Sequence, residues 1–94
     1  MTDTPEWLSY DDEGNATVAL AGKGMTIDGT KVAAVTMREP TVQDQLASDT
    51  AKGAEAAKEL TLMANLCDVA PDDLKGLSLR NYKRLQVALV GFID

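Results

Sequence analysis

The stretch Val35-Thr36-Met37-Arg38-Glu39-Pro40-Thr41-Val42-Gln43-Asp44 decides the fold, because the backbone changes character inside it. Before it, apolar residues alternate with polar ones, the pattern of half-buried strands. Pro40 holds Glu39 extended and cannot donate to a ladder, so the strand ends there. Thr41 followed three residues later by Asp44 is a partial capping box, with Thr41 as N-cap and Asp44 at the positive end of a new helix. Beyond it the apolar residues step by three and four. Strands therefore occupy residues 16–38 and helices 41–93. The expected class is α+β, a small antiparallel β-hairpin or three-stranded meander followed by a bundle of three to four α-helices.

Working back from the junction, Ala33, Val35 and Met37 share one face of a strand read from Lys31 to Met37. Asp28-Gly29 ahead of it is a hairpin signal, since both central positions of a type I′ turn need positive φ. A two-residue turn puts Ile27 on the face of Val32, and a three-residue connection puts it with Val35 and Met37. Gly22-Lys23-Gly24 reads as a tight turn. It lacks the spacing of a phosphate loop, and Ile27 stands where a dinucleotide fingerprint wants its third glycine. Val18 and Leu20 share a face in the first strand.

Working forward, Val42 and Leu46 pair at i, i+4, and this helix should fade near Ser48-Asp49-Thr50. Ala56, Leu60, Met63 and Cys67 form the apolar stripe of a helix over residues 53–67, widened by Leu62 and Leu66. Pro71 opens a short helix, with Asp72 and Asp73 complementing its dipole, and Gly76 ends it. Ser78 caps a last helix, where Tyr82, Leu85, Leu89 and Phe92 step by 3, 4 and 3. Lys75, Arg80, Lys83 and Arg84 form the basic cluster of the chain, read first as a solvated face pairing with Asp72 and Asp73 and second as a dock for an acidic partner.

The chain has 94 residues, 15 acidic against 9 basic for a net −6, with 45% hydrophobic residues, no His and one Cys. A length of this order makes one small domain. The negative balance argues against nucleic-acid and anionic-membrane partners. The absence of His removes imidazole catalysis and His ligation, and one Cys removes an intrachain disulfide or Cys-cluster metal site. Cys67 on an apolar stripe reads as a buried inert thiol. The reading is no catalytic residue, no cofactor and no metal. The first fifteen residues hold Asp3, Glu6, Asp11, Asp12 and Glu13 and no cation. Residues 1–15 are thus expected to be an acidic mobile tail and 16–94 a single α+β domain. Within that tail Trp7, Leu8 and Tyr10 either tuck onto the domain or form a short docking motif. The N-terminus has no basic residue or apolar core, so no signal peptide is expected.

The end of the last helix is the anomaly. Val87-Ala88-Leu89-Val90-Gly91-Phe92-Ile93 cannot fit on one helical face. Either the helix end is inserted into the protein, or part of it is left open as a partner or self-association surface. Leu89, Val90, Phe92 and Ile93 are the candidate partner-binding residues. Replacing Phe92 and Ile93 with Ser is expected to weaken binding without unfolding the domain. Arg38, Glu39, Pro40, Thr41 and Asp44 are read as a structural motif.

Taken together, these residues resemble a known family. Val35–Asp44 is similar to the "L-T-L-R-E-P-T-V-x-D" signature of the phage tail assembly chaperones of Mu-like and related contractile-tailed phages. Leu62–Cys67 with Val69–Leu74 resembles that family's "L…L-T-G-L-S-P-E-E-L". Leu77, Leu79, Tyr82, Leu85, Gln86 and Gly91-Phe92 resemble its closing "L…D-Y…L-Q…G-F-L". The likeness spans roughly residues 16–93. Asn81 departs from it, standing where an acidic residue is common, and Cys67-Asp68 replaces Thr-Gly. The resemblance implies a non-enzymatic protein of the host cytoplasm, made by a phage or prophage. Such proteins bind the tape measure protein, keep it soluble before tail tube polymerisation, and are absent from the mature virion. It also implies a longer form made by programmed frameshift, with the chain ending at Asp94 as the short form. That form and further copies of the chain are the other partners this reading admits. A structural tail or baseplate protein and a small regulatory binding module are the alternatives.

Overall fold

A computed structural model describes residues 4–93, Ile93 by its backbone alone. Among the described residues the chain runs through five short strands and then four helices, an α+β fold. Strands β1 (Leu8–Tyr10), β2 (Ala16–Ala19) and β5 (Ala34–Met37) form one antiparallel sheet in the order β1-β2-β5. Strands β3 (Met25–Ile27) and β4 (Thr30–Val32) form a separate two-stranded ribbon. The helices are α1 (Val42–Asp49), α2 (Glu55–Cys67), α3 (Pro71–Lys75) and α4 (Leu79–Ile93).

The ribbon turns at Asp28-Gly29, where φ is 50° and 79°. Two consecutive positive values are what a type I′ turn demands, and they pair Ile27 with Thr30 and Met25 with Val32. This is the two-residue alternative, with Ile27 on the face of Val32. The strand expected from Lys31 to Met37 is broken. Residues on either side of Ala33 belong to different sheets, and the Ala33 carbonyl accepts from Leu20 N–H at 2.8 Å. Gly24, at φ 69°, lets the backbone pass so close to the Val32 carbonyl that a Cβ there would overlap it.

The domain boundary placed at residue 16 falls inside the sheet. Leu8, Ser9 and Tyr10 pair with Val18, Thr17 and Ala16, and Leu8 is buried in the core. A run of carboxylates predicts solvation of those groups, and Asp11, Asp12 and Glu13 are indeed exposed. It says nothing about the apolar residues between them, whose burial overrides the local charge.

The core joins Leu8, Val18, Val35 and Met37 of the sheet to Leu62, Met63 and Leu66 of α2, Leu74 of α3, and Leu85 and Ala88 of α4. Met37, Met63 and Leu85 have no accessible surface. Truncating any of them to Ala would cost about 2–5 kcal/mol.

At the strand-to-helix junction Asp44 gathers four donors. Arg38 Nη1 and Nη2 donate to its two oxygens at 2.6 and 2.8 Å. The backbone N–H of Thr41 donates at 2.8 Å and its hydroxyl at 3.1 Å. The Asp44 N–H in turn donates to Thr41 Oγ1 at 3.3 Å, completing the capping box. The Arg38 guanidinium and the Thr41 N–H hold the Asp44 carboxyl well below the usual carboxylate range. Arg38 N–H also donates to the Leu66 carbonyl at 3.0 Å, which ties the strand exit to α2.

A buried amide fixes the start of α4. Asn81 Oδ1 accepts from Ala21 N–H at 2.7 Å, and its Nδ2 donates to Ala21 O at 3.0 Å. A carboxylate at this position could accept but not donate. Ser78 Oγ accepts from the Asn81 N–H at 3.2 Å, the expected cap.

Because the native Asp44 carboxyl titrates lower than an unfolded one, its contribution is complete above about pH 4 and drains as pH falls toward the native value. Asp44→Asn should lower stability by about 1–2 kcal/mol at pH 7. Urea midpoints measured from pH 7 to pH 2 should then fall less steeply in the variant than in the parent; parallel profiles would contradict the assignment. Asn81→Asp should lose about 1–3 kcal/mol at neutral pH, since the Ala21 carbonyl is left without its donor. That deficit should shrink on acidification, as the introduced carboxyl takes up a proton with which to donate. A constant deficit across pH would show that the Ala21 contact does not matter.

Candidate partner-binding surface

Helix α4 is held against the sheet along its length. Arg84 Nη1 donates to Ala19 O at 2.7 Å, and its guanidinium lies 5.0 Å from the centre of the Trp7 ring, a cation–π contact. The Tyr10 hydroxyl donates to the Ala88 carbonyl at 2.9 Å. That approach requires Gly91, because a Cβ at 91 would land on the Tyr10 hydroxyl. On the side facing α2, Tyr82 Oη and Gln86 Nε2 both donate to Glu59 Oε1, at 2.9 and 2.8 Å. Burial and the Glu59 carboxylate push the Tyr82 phenol up, so it remains a donor at any physiological pH.

These ties set the helix's rotation, with Asn81, Leu85 and Ala88 turned inward. Leu79, Val87 and Val90 are then 79%, 45% and 65% exposed. With exposed Lys83 they recur at spacings of 4, 4 and 3, which makes one outward stripe. The expected candidates separate accordingly. Val90 lies on that stripe. Leu89 is half-buried and lines a cleft of about 470 Å³ between α1, α2 and α4, with Ser48, Asp49, Ala56, Glu59 and Leu62. Phe92 is half-buried, its ring edge-on to Tyr10 with centroids 5.3 Å apart. The Ile93 side chain lies outside the described residues. Val87 belongs to the helix-end run that the sequence marks as too apolar for one face, although it was not among the named candidates; Leu79 was missed because the 3–4 spacing of Tyr82, Leu85, Leu89 and Phe92 named only the inward face.

Helix α1 presents a second outward apolar face. Val42 and Leu46, the pair expected at i, i+4, are 78% and 55% exposed. The buried side chains of α1 are Asp44 and Ser48. Both are satisfied there, Asp44 as above and Ser48 Oγ by donating to Lys58 O at 3.0 Å. Polar anchors thus turn α1 so that its apolar pair faces solvent.

The basic cluster is partly spent. Lys75 pairs with Asp72 at 3.2 Å, as expected, and Arg84 is committed to Ala19 and Trp7. Arg80 and Lys83 remain as exposed cations on α4. Glu39 is exposed and Pro40 half-buried beside the Asp44 junction. Cys67 is buried, and burial pushes its thiol up to about 11, so it carries little thiolate at neutral pH. Among the described residues no helix is long and apolar enough to cross a membrane, and no three Cys, Asp or Glu side chains gather as a metal site.

The geometry separates a packing residue from a surface one. Phe92→Ser should lower stability by about 1–3 kcal/mol through lost contact with Tyr10. Val90→Ser should change it by less than about 0.5 kcal/mol. Equal effects in urea unfolding would mean that α4 is rotated differently, with Val90 packed as closely as Phe92.

A family model described as "Phage tail assembly chaperone proteins, E, or 41 or 14" matches residues 17–94. No curated protein and no solved structure matches the chain.

Proposed function

The chain belongs to the phage tail assembly chaperone family, and we propose that it binds the tape measure protein and keeps it soluble before tail tube polymerisation. The observation that supports this reading is the outward stripe of α4, with Leu79, Val87 and Val90 left in water by a helix that could have buried them only by giving up its ties to Ala21, Ala19 and Tyr10. An elongated apolar stripe on a helix suits a helical client, which lays its own apolar residues along it. Leu89, at the cleft edge, extends the contact; Phe92 supports it from beneath by holding the helix end on Tyr10. Ile93 is proposed as a further contact at the same end.

The role is non-enzymatic: affinity for a client needs exposed apolar surface and net charge for solubility, both of which this chain has. The protein acts in the host cytoplasm and is left out of the finished particle. A frameshifted longer form would carry the same α4 and compete for the same client.

Co-expression with the tape measure protein of the same phage tests this. The parent chain should yield a soluble complex. Val87→Ser combined with Val90→Ser should leave the urea midpoint unchanged and return most of the client to the insoluble fraction. Undiminished solubilisation by this variant would remove α4 as the client surface. Incorporation of the chain into purified particles at stoichiometric amounts would favour a structural tail role instead.

A further inference from the structure

The two outward apolar faces differ in charge. Helix α1 holds Asp44 and Asp49 and no Lys or Arg, while α4 holds Arg80, Lys83 and Arg84 and no Asp or Glu. On α1 the exposed residues Val42, Leu46 and Asp49 fall on one face at spacings of 4 and 3. On α4 the matching run is Val90, Val87 and Lys83, at spacings of 3 and 4 in the reverse direction. Both runs cover seven residue steps, about 10 Å at the helical rise. Laid antiparallel, they set Val42 against Val90, Leu46 against Val87, and Asp49 against Lys83. Asp49 ends α1, where the negative pole of that helix adds to its charge. Pairing α4 with α4 in the same antiparallel sense would set Lys83 against Val90, and α1 with α1 would set Asp49 against Val42, so neither leaves the charges complemented.

We infer that the occupant of these faces, when no client is present, is a second copy of this chain, α1 of each protomer lying on α4 of the other about a two-fold axis. Within one protomer the two helices border the same cleft, through Asp49 of α1 and Leu89 of α4, so the two faces lie on neighbouring helices and a two-fold axis would make each contact twice. A single eight-residue helix contributes each contact, which places the interface at the small, weak end of specific association. The inference goes beyond client binding and does not need it. Where both hold, client and second copy compete for α4.

Sedimentation equilibrium of the full chain without client tests it up to about 1 mM. The parent should show a monomer–dimer equilibrium. Asp49→Lys alone and Lys83→Asp alone should each weaken it about tenfold, because like charges then meet twice per dimer. An equimolar mixture of the two variants should recover the parental affinity, since both contacts are complementary again in the mixed dimer. Leu46→Ser, at an exposed position, should weaken the dimer without lowering the urea midpoint. A parent that stays monomeric, an Asp49→Lys chain that dimerises as well as the parent, or a mixture that fails to recover would each overturn the inference. None of these results bears on client solubilisation, which is measured separately.

Discussion

The Asp44 carboxylate is where the two halves of this molecule are joined. It receives the strand through Arg38 and starts the helix through Thr41, so the chain's change of direction rests on one side chain. Its position also decides what α1 presents to solvent. With Asp44 and Ser48 drawn inward, Val42 and Leu46 have no choice but to face out. A helix whose polar residues are its anchors inverts the ordinary amphipathic arrangement, and the result is surface that another chain can use.

Helix α4 reaches the same outcome by a different route. It has apolar residues on nearly every side, more than a domain of this size can cover. Its rotation is set by polar contacts at intervals: Asn81 to Ala21, Arg84 to Ala19 and Tyr10 to Ala88. Rolling the helix to bury Val87 or Val90 would break bonds to the backbone of Ala19 and Ala21 and strip the Tyr10 hydroxyl of its acceptor. Unsatisfied groups of that kind cost about as much as the apolar burial would return. The exposure is therefore held in place by the fold, which is what a binding surface requires if it is to persist without its partner.

Much of this was legible in the residues. Asp28-Gly29, Pro40-Thr41, Pro71 and Ser78 each act through local backbone chemistry, and the structure has the turn, junction and helix starts they imply. The first strand was hidden, because three residues among carboxylates carry too little pattern to outweigh the charge around them. The break at Ala33 was hidden as well: alternation continues across it, and only the three-dimensional separation of the two sheets ends the strand. The inversion of α1 was unreadable for a related reason. Apolar spacing identifies a face but not its direction, and the direction here came from an ion pair with Arg38, outside the helix. On α4 the anomaly of excess apolar residues was visible, while their division into Phe92 within and Val87 and Leu79 without depended on Tyr10 and Asn81.

The central claim is that α4 is held with its apolar stripe outward and gives that stripe to another polypeptide. Methyl resonances of the labelled chain, followed as the tape measure protein is added, test it most directly. Leu79, Val87 and Val90 should shift and become shielded from solvent, while Leu85 in the core and Val18 in the sheet should stay where they are. Perturbations confined to the sheet, with the methyls of Val87 and Val90 unmoved, would contradict it.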